Sequence, residues 1–154
     1  MKPKARKTPV PALKAHVLIV EARFYDELTD ELCSGAREAL DRAGATHETV
    51  SVPGALEVPA AIAICEESGR FDGYVAIGVV IRGETSHYDI VAGESARGLM
   101  EIALAQRMPV GNGILTVDTR EQAVARARPD KWDKGGGAAE AALALLRLKR
   151  RLAT

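Results

Sequence analysis

The sequence predicts a three-layer α/β/α sandwich built on a four-stranded parallel sheet. Apolar runs of strand length alternate four times with segments of helical period. Most of those runs are apolar, as in a parallel sheet covered on both faces, while THETVSV, the second, has a less certain period. The length, 154 residues, suits one domain with right-handed crossovers.

Residues 1–13, rich in proline and cations, predict a flexible N-terminal arm, with residues 14–154 as the single folded domain. AHVLIVEA is the first strand, and RFYD breaks it. From Asp26 to Ala43 the residues Leu28, Leu32, Ala36, Ala39, Leu40 and Ala43 recur at helical spacing, with Gly44 as the stop. THETVSV is the second strand, and VPGALEVP ends it. EVPAAIAICEES starts a helix that tolerates Pro59 in its first turn. FDGYVAIGVVI is the third strand, followed by a helix from Asp89 to Gln106. PVGNGILTV is the fourth strand. Thr119 and Gln122 form a capping-box pattern that opens the helix REQAVARAR. PDKWDKGGG reads as a loop and AAEAALALLRLKRRL as a last amphipathic helix.

Composition narrows the function. The chain is 47% hydrophobic and 27% charged, which suits a globular protein with a real core. Twenty-one cationic and 21 acidic side chains cancel, which argues against a nucleic-acid partner. The basic runs KPKARK and RLKRR read as solvated charge. Cys33 and Cys65 sit in helical patterns and are expected to be reduced, buried small hydrophobes. The three histidines lie far apart, so no metal site is expected. No secretory leader or membrane-spanning run is evident, and the cytoplasm is the expected location.

In open parallel sheets ligands bind outside the carboxyl ends of the strands. The unusual loops all fall on that edge: Arg23 to Tyr25, Pro53 to Glu57, Arg82 to Asp89 and Thr116 to Thr119. Gly83 permits an unusual turn, and the backbone N–H groups of Glu84 and Thr85 can face an anion. Helices begin after these loops and turn their positive ends to the crevice. Arg126 and Lys134 can add full charges. His87 is the general acid/base candidate, because free imidazole titrates near neutrality. Phe24 can stack on a planar ring. Each has a plainer reading: an exposed histidine, a phenylalanine anchoring its loop on the core, a solvated arginine, a Glu57 that only favours its helix N-terminus. On the residues alone the result is an α/β domain with a small-anion site at the strand ends.

The sequence resembles the lumazine synthase family. The matching pieces are RF at 23–24, VPGALE at 52–57, GVVIRGETSHYD at 78–89, GILTV at 113–117, EQAVARA at 121–127 and DKGG at 133–136. They run in family order from about residue 14 to 150. VEARFYD and GNGILTV resemble one subtype from bacteria that carry two such synthases.

The resemblance implies a flavodoxin-like topology and a cofactor-free condensation of 5-amino-6-(D-ribitylamino)uracil with 3,4-dihydroxy-2-butanone 4-phosphate. It implies proton transfer by His87 and phosphate binding by Arg126, Glu84 and Thr85. Phe24 would stack on the uracil, Ala55, Leu56 and Glu57 would line the ribityl and ring pocket, and Val80 and Ile81 would edge the ring. Lys134 would reach the pyrimidine. The resemblance also implies a homopentamer whose sites lie between subunits. Phe24, Glu57 and His87 would then come from one chain, and Asn112, Arg126 and Lys134 from its neighbour. The arm would pair with a neighbour's sheet, and an isolated pentamer is favoured over a decamer or a capsid. Tyr25, Leu56, Val79 and Asn112 depart from the commoner family pattern, at positions that bear on substrate fit. The alternative is a flavin- or lumazine-binding protein that does not turn over; it would not require His87, Arg126 and Lys134 together.

Overall fold

The computed structural model describes residues 12–153. All but the last two residues of the expected arm lie outside that range. The elements follow in chain order as β1 (His16–Ala22), α1 (Asp26–Arg42), β2 (Thr46–Val52), a 3-10 turn (Ala55–Glu57), α2 (Val58–Glu66), β3 (Gly73–Ile81), α3 (His87–Gln106), β4 (Val110–Val117), α4 (Arg120–Ala127) and α5 (Lys134–Leu152).

The four strands form one sheet in the order β2-β1-β3-β4, every pair parallel. Successive side chains of a strand face opposite sides, so β1 serves two cores at once. Val17 and Ile19 meet α1 and α5 through Leu32, Ala36, Leu40 and Leu143. Leu18 and Val20 meet Val58 and Ile62 of α2 and Leu99 of α3 on the other side. Helices α1, α4 and α5 therefore cover one face and α2 and α3 the other, the expected three layers. Each fully buried aliphatic side chain contributes roughly 1.5–3 kcal/mol, which makes these two cores the main source of stability.

The central strands β1 and β3 are almost wholly buried, whereas the edge strands β2 and β4 are partly open. The chain leaves β1 for one edge through β2 and returns to the other side of β1 through β3. That reversal is the topological switch point, and it opens a crevice at the carboxyl ends of β1 and β3.

Several local expectations hold. Thr119 Oγ1 accepts from the N–H of Gln122, and the Gln122 side chain accepts from the N–H of Thr119, completing the capping box. Gly44 takes a φ of 78° at the end of α1. Others need correction. The glycines of PDKWDKGGG do not form a loop: α5 begins at Lys134, one turn earlier than the apolar period suggests. Asp133 caps it by accepting from the N–H of Gly136. A Cβ at Gly135 would lie 1.9 Å from the Leu32 carbonyl oxygen, so close packing of α5 on α1 demands glycine inside the helix. Gly83 does not adopt left-handed backbone, and a Cβ there would meet open space. Cys33 is buried as expected but is no simple hydrophobe: its thiol donates to Glu21 Oε1 at 3.1 Å. Cys65 is only half-buried.

Candidate functional site

The crevice at the switch point holds a cavity of about 440 Å³. Its walls come from three loops. Phe24 and Tyr25 follow β1; Ala55, Leu56 and Glu57 follow β2; Val80, Ile81, Thr85 and His87 come from the end of β3 and the start of α3. Phe24 is 72% exposed, so the plainer reading of it as a core anchor fails. Its ring meets Tyr25 edge-on at 4.9 Å between centroids, leaving a face free.

The Phe24 loop is held from behind. Arg23 donates to Asp30 at 2.8 Å and Asp26 at 3.0 Å, and pairs with the buried Glu21 at 3.2 Å. The Asp30 hydrogen bond, helped by these neighbouring carboxylates, holds the guanidinium firmly protonated against its partial desolvation. Glu21 also accepts from Ser51 at 2.8 Å, which ties the end of β2 to β1.

His87 is the first residue of α3 and is exposed. Its backbone N–H donates to Thr85 Oγ1 at 3.3 Å, so that hydroxyl satisfies one of the free donors of the helix start. Among the described residues the imidazole has no hydrogen-bond partner, and His87 lines the cavity. Glu84 projects from the same loop, exposed, without lining the cavity.

The remaining predicted residues form a second surface. Asn112, Arg126 and Lys134 line a cavity of about 410 Å³ between the edge strand β4 and the helices α4 and α5. Two close approaches build it. A Cβ at Gly111 would lie 1.8 Å from the Ala138 carbonyl oxygen, so glycine lets α5 lie directly on β4. Arg126 stacks over Trp132 at 3.9 Å and donates to the Gln122 carbonyl at 3.1 Å, which fixes the guanidinium beside the cavity. Asn112 Oδ1 accepts from the N–H of Ile114 at 2.9 Å, leaving its amide N–H groups unengaged by that bond.

One chain therefore gathers Phe24, Ala55, Leu56, Glu57, Val80, Ile81, Thr85 and His87 around one cavity and Asn112, Arg126 and Lys134 around another. It does not bring the imidazole and Arg126 to the same cavity. Tyr88, from the predicted Arg82 to Asp89 loop, also lines the first cavity, and so does Val91, which escapes a reading of loops alone. Val91 lies four residues after His87, so helical spacing is the signal that places it on the same face.

Fold and site define a class: a doubly wound α/β protein with a ligand crevice at the switch point, offering an aromatic face, an imidazole and a separate cationic surface. Comparison with known proteins gives the family. Residues 14–150 match the family model for 6,7-dimethyl-8-ribityllumazine synthase. A protein of that name from Sphingopyxis alaskensis is 64% identical over 135 residues, covering 88% of this chain and 95% of the relative. One from Methylorubrum extorquens is 61% identical over 139 residues, 87% of this chain and 80% of the relative. The 6,7-dimethyl-8-ribityllumazine synthase 1 of Rhizobium meliloti is 58% identical over 142 residues, 89% and 93%. The chain belongs to the 6,7-dimethyl-8-ribityllumazine synthase family.

Proposed function

We propose that this protein is a transferase of riboflavin biosynthesis that makes 6,7-dimethyl-8-ribityllumazine. It condenses 5-amino-6-(D-ribitylamino)uracil with 3,4-dihydroxy-2-butanone 4-phosphate. The free amine of the pyrimidine attacks the ketone and forms an imine with loss of water. Inorganic phosphate then leaves, the ribitylamino nitrogen closes the second ring, and a second water departs. Every step moves protons or expels a good leaving group, so one imidazole and a phosphate cradle supply the chemistry.

The observation that carries the reading is the division of the site into two complementary surfaces on a family member. The switch-point cavity offers Phe24 for stacking on the uracil, Glu57 to accept from ribityl hydroxyls, and apolar walls from Ala55, Leu56, Val80 and Ile81. His87 moves the protons. Arg126, with Glu84 and Thr85, holds the phosphate, and Lys134 reaches the pyrimidine. The set His87, Arg126 and Lys134 is complete, which a protein that only binds lumazine would not need.

In this reading the catalytic site is completed by a neighbour in a homopentamer, which is supported by His87 and Arg126 lining different cavities of one chain. Unpartnered apolar side chains support a contact surface. Ile90, Met100 and Leu104 share one face of α3 at exposures of 53%, 58% and 73%, and Ile64 on α2 is 70% exposed. No described helix is long and apolar enough to cross a membrane. The substrates are small soluble molecules, and the protein works in the cytoplasm.

The test is direct. Purified protein is mixed with both substrates, and lumazine absorbance is followed against a protein-free blank. Acceleration over the blank that is largely lost in Arg126→Ala, chiefly through a higher KM for the butanone phosphate, is expected. A folded oligomer that gives no acceleration refutes the reading.

A further inference from the structure

Arg82 lines neither cavity, yet it stands between them. Its backbone N–H donates to the Val117 carbonyl at 2.9 Å, the last rung joining β3 to β4. Its side chain has three partners. Nε donates to Asp118 Oδ1 at 2.9 Å, Nη1 lies 3.7 Å from Asp89, and the guanidinium sits 4.2 Å above the ring of Tyr88. The Asp118 hydrogen bond raises the guanidinium's pKa further, so the charge is permanent.

Two of these partners, Tyr88 and Asp89, directly follow His87 at the start of α3, and Tyr88 is itself a wall of the first cavity. The third leads the other way. The N–H of Asp118 donates to Gln122 Oε1 at 2.7 Å, and the Gln122 carbonyl accepts from Arg126 Nη1 at 3.1 Å. A continuous chain of polar contacts thus runs from the His87 turn through Arg82, Asp118 and Gln122 to Arg126.

Stability does not explain it. The Arg82 and Asp118 side chains are 50% and 63% exposed, and pairs this open contribute little to folding. What a planar guanidinium with three partners does supply is direction. It fixes the loop against β4 in a way that a flexible ammonium does not reproduce.

We propose that Arg82 is a positioning residue for both half-sites, holding the His87 turn in place on one side and, through Asp118 and Gln122, the start of α4 and its Arg126 on the other. The proposal rests on the roles given above to His87 and Arg126. In the shared-site assembly those two groups serve different active sites, so Arg82 sets the geometry of two neighbouring sites at once.

The experiment compares Arg82→Ala, Arg82→Lys and Asp118→Asn, and the double variant of the last two, in the assembled protein. Melting temperature, oligomer size, kcat and the two KM values are measured for each. Arg82→Ala is expected to lower kcat by about tenfold, since small displacements of a reacting group are costly, with the melting temperature and the oligomer unchanged. Arg82→Lys shows the same loss in part, because it keeps the charge and discards the fork. Asp118→Asn chiefly raises the KM for the butanone phosphate, and the double variant loses less than the product of the single losses. Unchanged kcat and KM in folded Arg82 variants overturn the proposal, as does a loss that merely follows a fall in melting temperature. Absence of synthase activity in the unaltered protein overturns the functional reading itself, and the two failures are distinct.

Discussion

Replacing Phe24 with alanine should separate binding from stability. The ring is 72% exposed, so little more than a quarter of it is removed from water by folding. Complete burial of a phenylalanine side chain contributes up to about 3 kcal/mol, so the covered part contributes under about 1 kcal/mol. The edge contact with Tyr25 adds about 0.5–1.5 kcal/mol at most. If Phe24 stacks on the uracil, its removal costs on the order of 1–3 kcal/mol in pyrimidine affinity, by analogy with aromatic platforms for bases. That is roughly 5- to 150-fold in dissociation constant. The assay is pyrimidine binding by calorimetry, with both KM values and a thermal melt on the same preparation. The expected pattern is a weaker pyrimidine, a near-constant KM for the phosphate substrate and a melting temperature lowered by a few degrees at most. Unchanged pyrimidine affinity in a folded variant would refute the stacking role, and a large fall in melting temperature would show that the ring is structural after all.

Other changes probe the scaffold. Gly135→Ala forces a Cβ to within 1.9 Å of the Leu32 carbonyl oxygen and should cost about 3 kcal/mol, on the order of 10 °C in melting temperature. Gly137→Ala, two residues on in the same helix with nothing within 4 Å, should be neutral or stabilising, and thermal melts of the pair check the contrast. Burial, reinforced by the hydrogen bond to Glu21, pushes the Cys33 thiol up from 9.0 to about 12. A raised folded pKa means stability that is present below pH 9 and lost as pH climbs towards 12, so Cys33→Ala should flatten that part of the alkaline decline in denaturant titrations. The same thiol should resist modification in the native protein and react once it unfolds. His87→Ala should slow turnover and leave the assembly intact by light scattering; dissociation would make the imidazole a structural group.

Much of the fold is legible in the sequence because its signals are local. The strands β1 and β3 are continuous apolar runs, the period of α1 is regular, and Thr119 with Gln122 makes the reciprocal cap that their spacing predicts. The start of α5 is not legible, since three successive glycines look like a loop until α1 is seen to need Gly135 bare and Asp133 is seen to cap the helix at Gly136. The site is legible in part. The rule that ligands sit at strand carboxyl ends gathers Phe24, Glu57 and His87 before any coordinates exist. The separate cavity around Asn112, Arg126 and Lys134 depends on how α4 and α5 fold back along β4, which no short stretch encodes. Arg82 is hidden for a similar reason: its main partner, Asp118, lies 36 residues away.

The central claim is that each active site joins His87 of one chain to Arg126 of its neighbour, and subunit mixing tests it. His87→Ala and Arg126→Ala proteins, each expected to lose most of its activity at subsaturating butanone phosphate, are unfolded together at equal concentration and refolded into mixed rings, and lumazine formation is measured under that condition. Shared sites predict recovery towards about a quarter of the unaltered activity, because a quarter of random neighbour pairs unite an intact His87 with an intact Arg126. Mixed rings that stay as inactive as their parents would contradict the account.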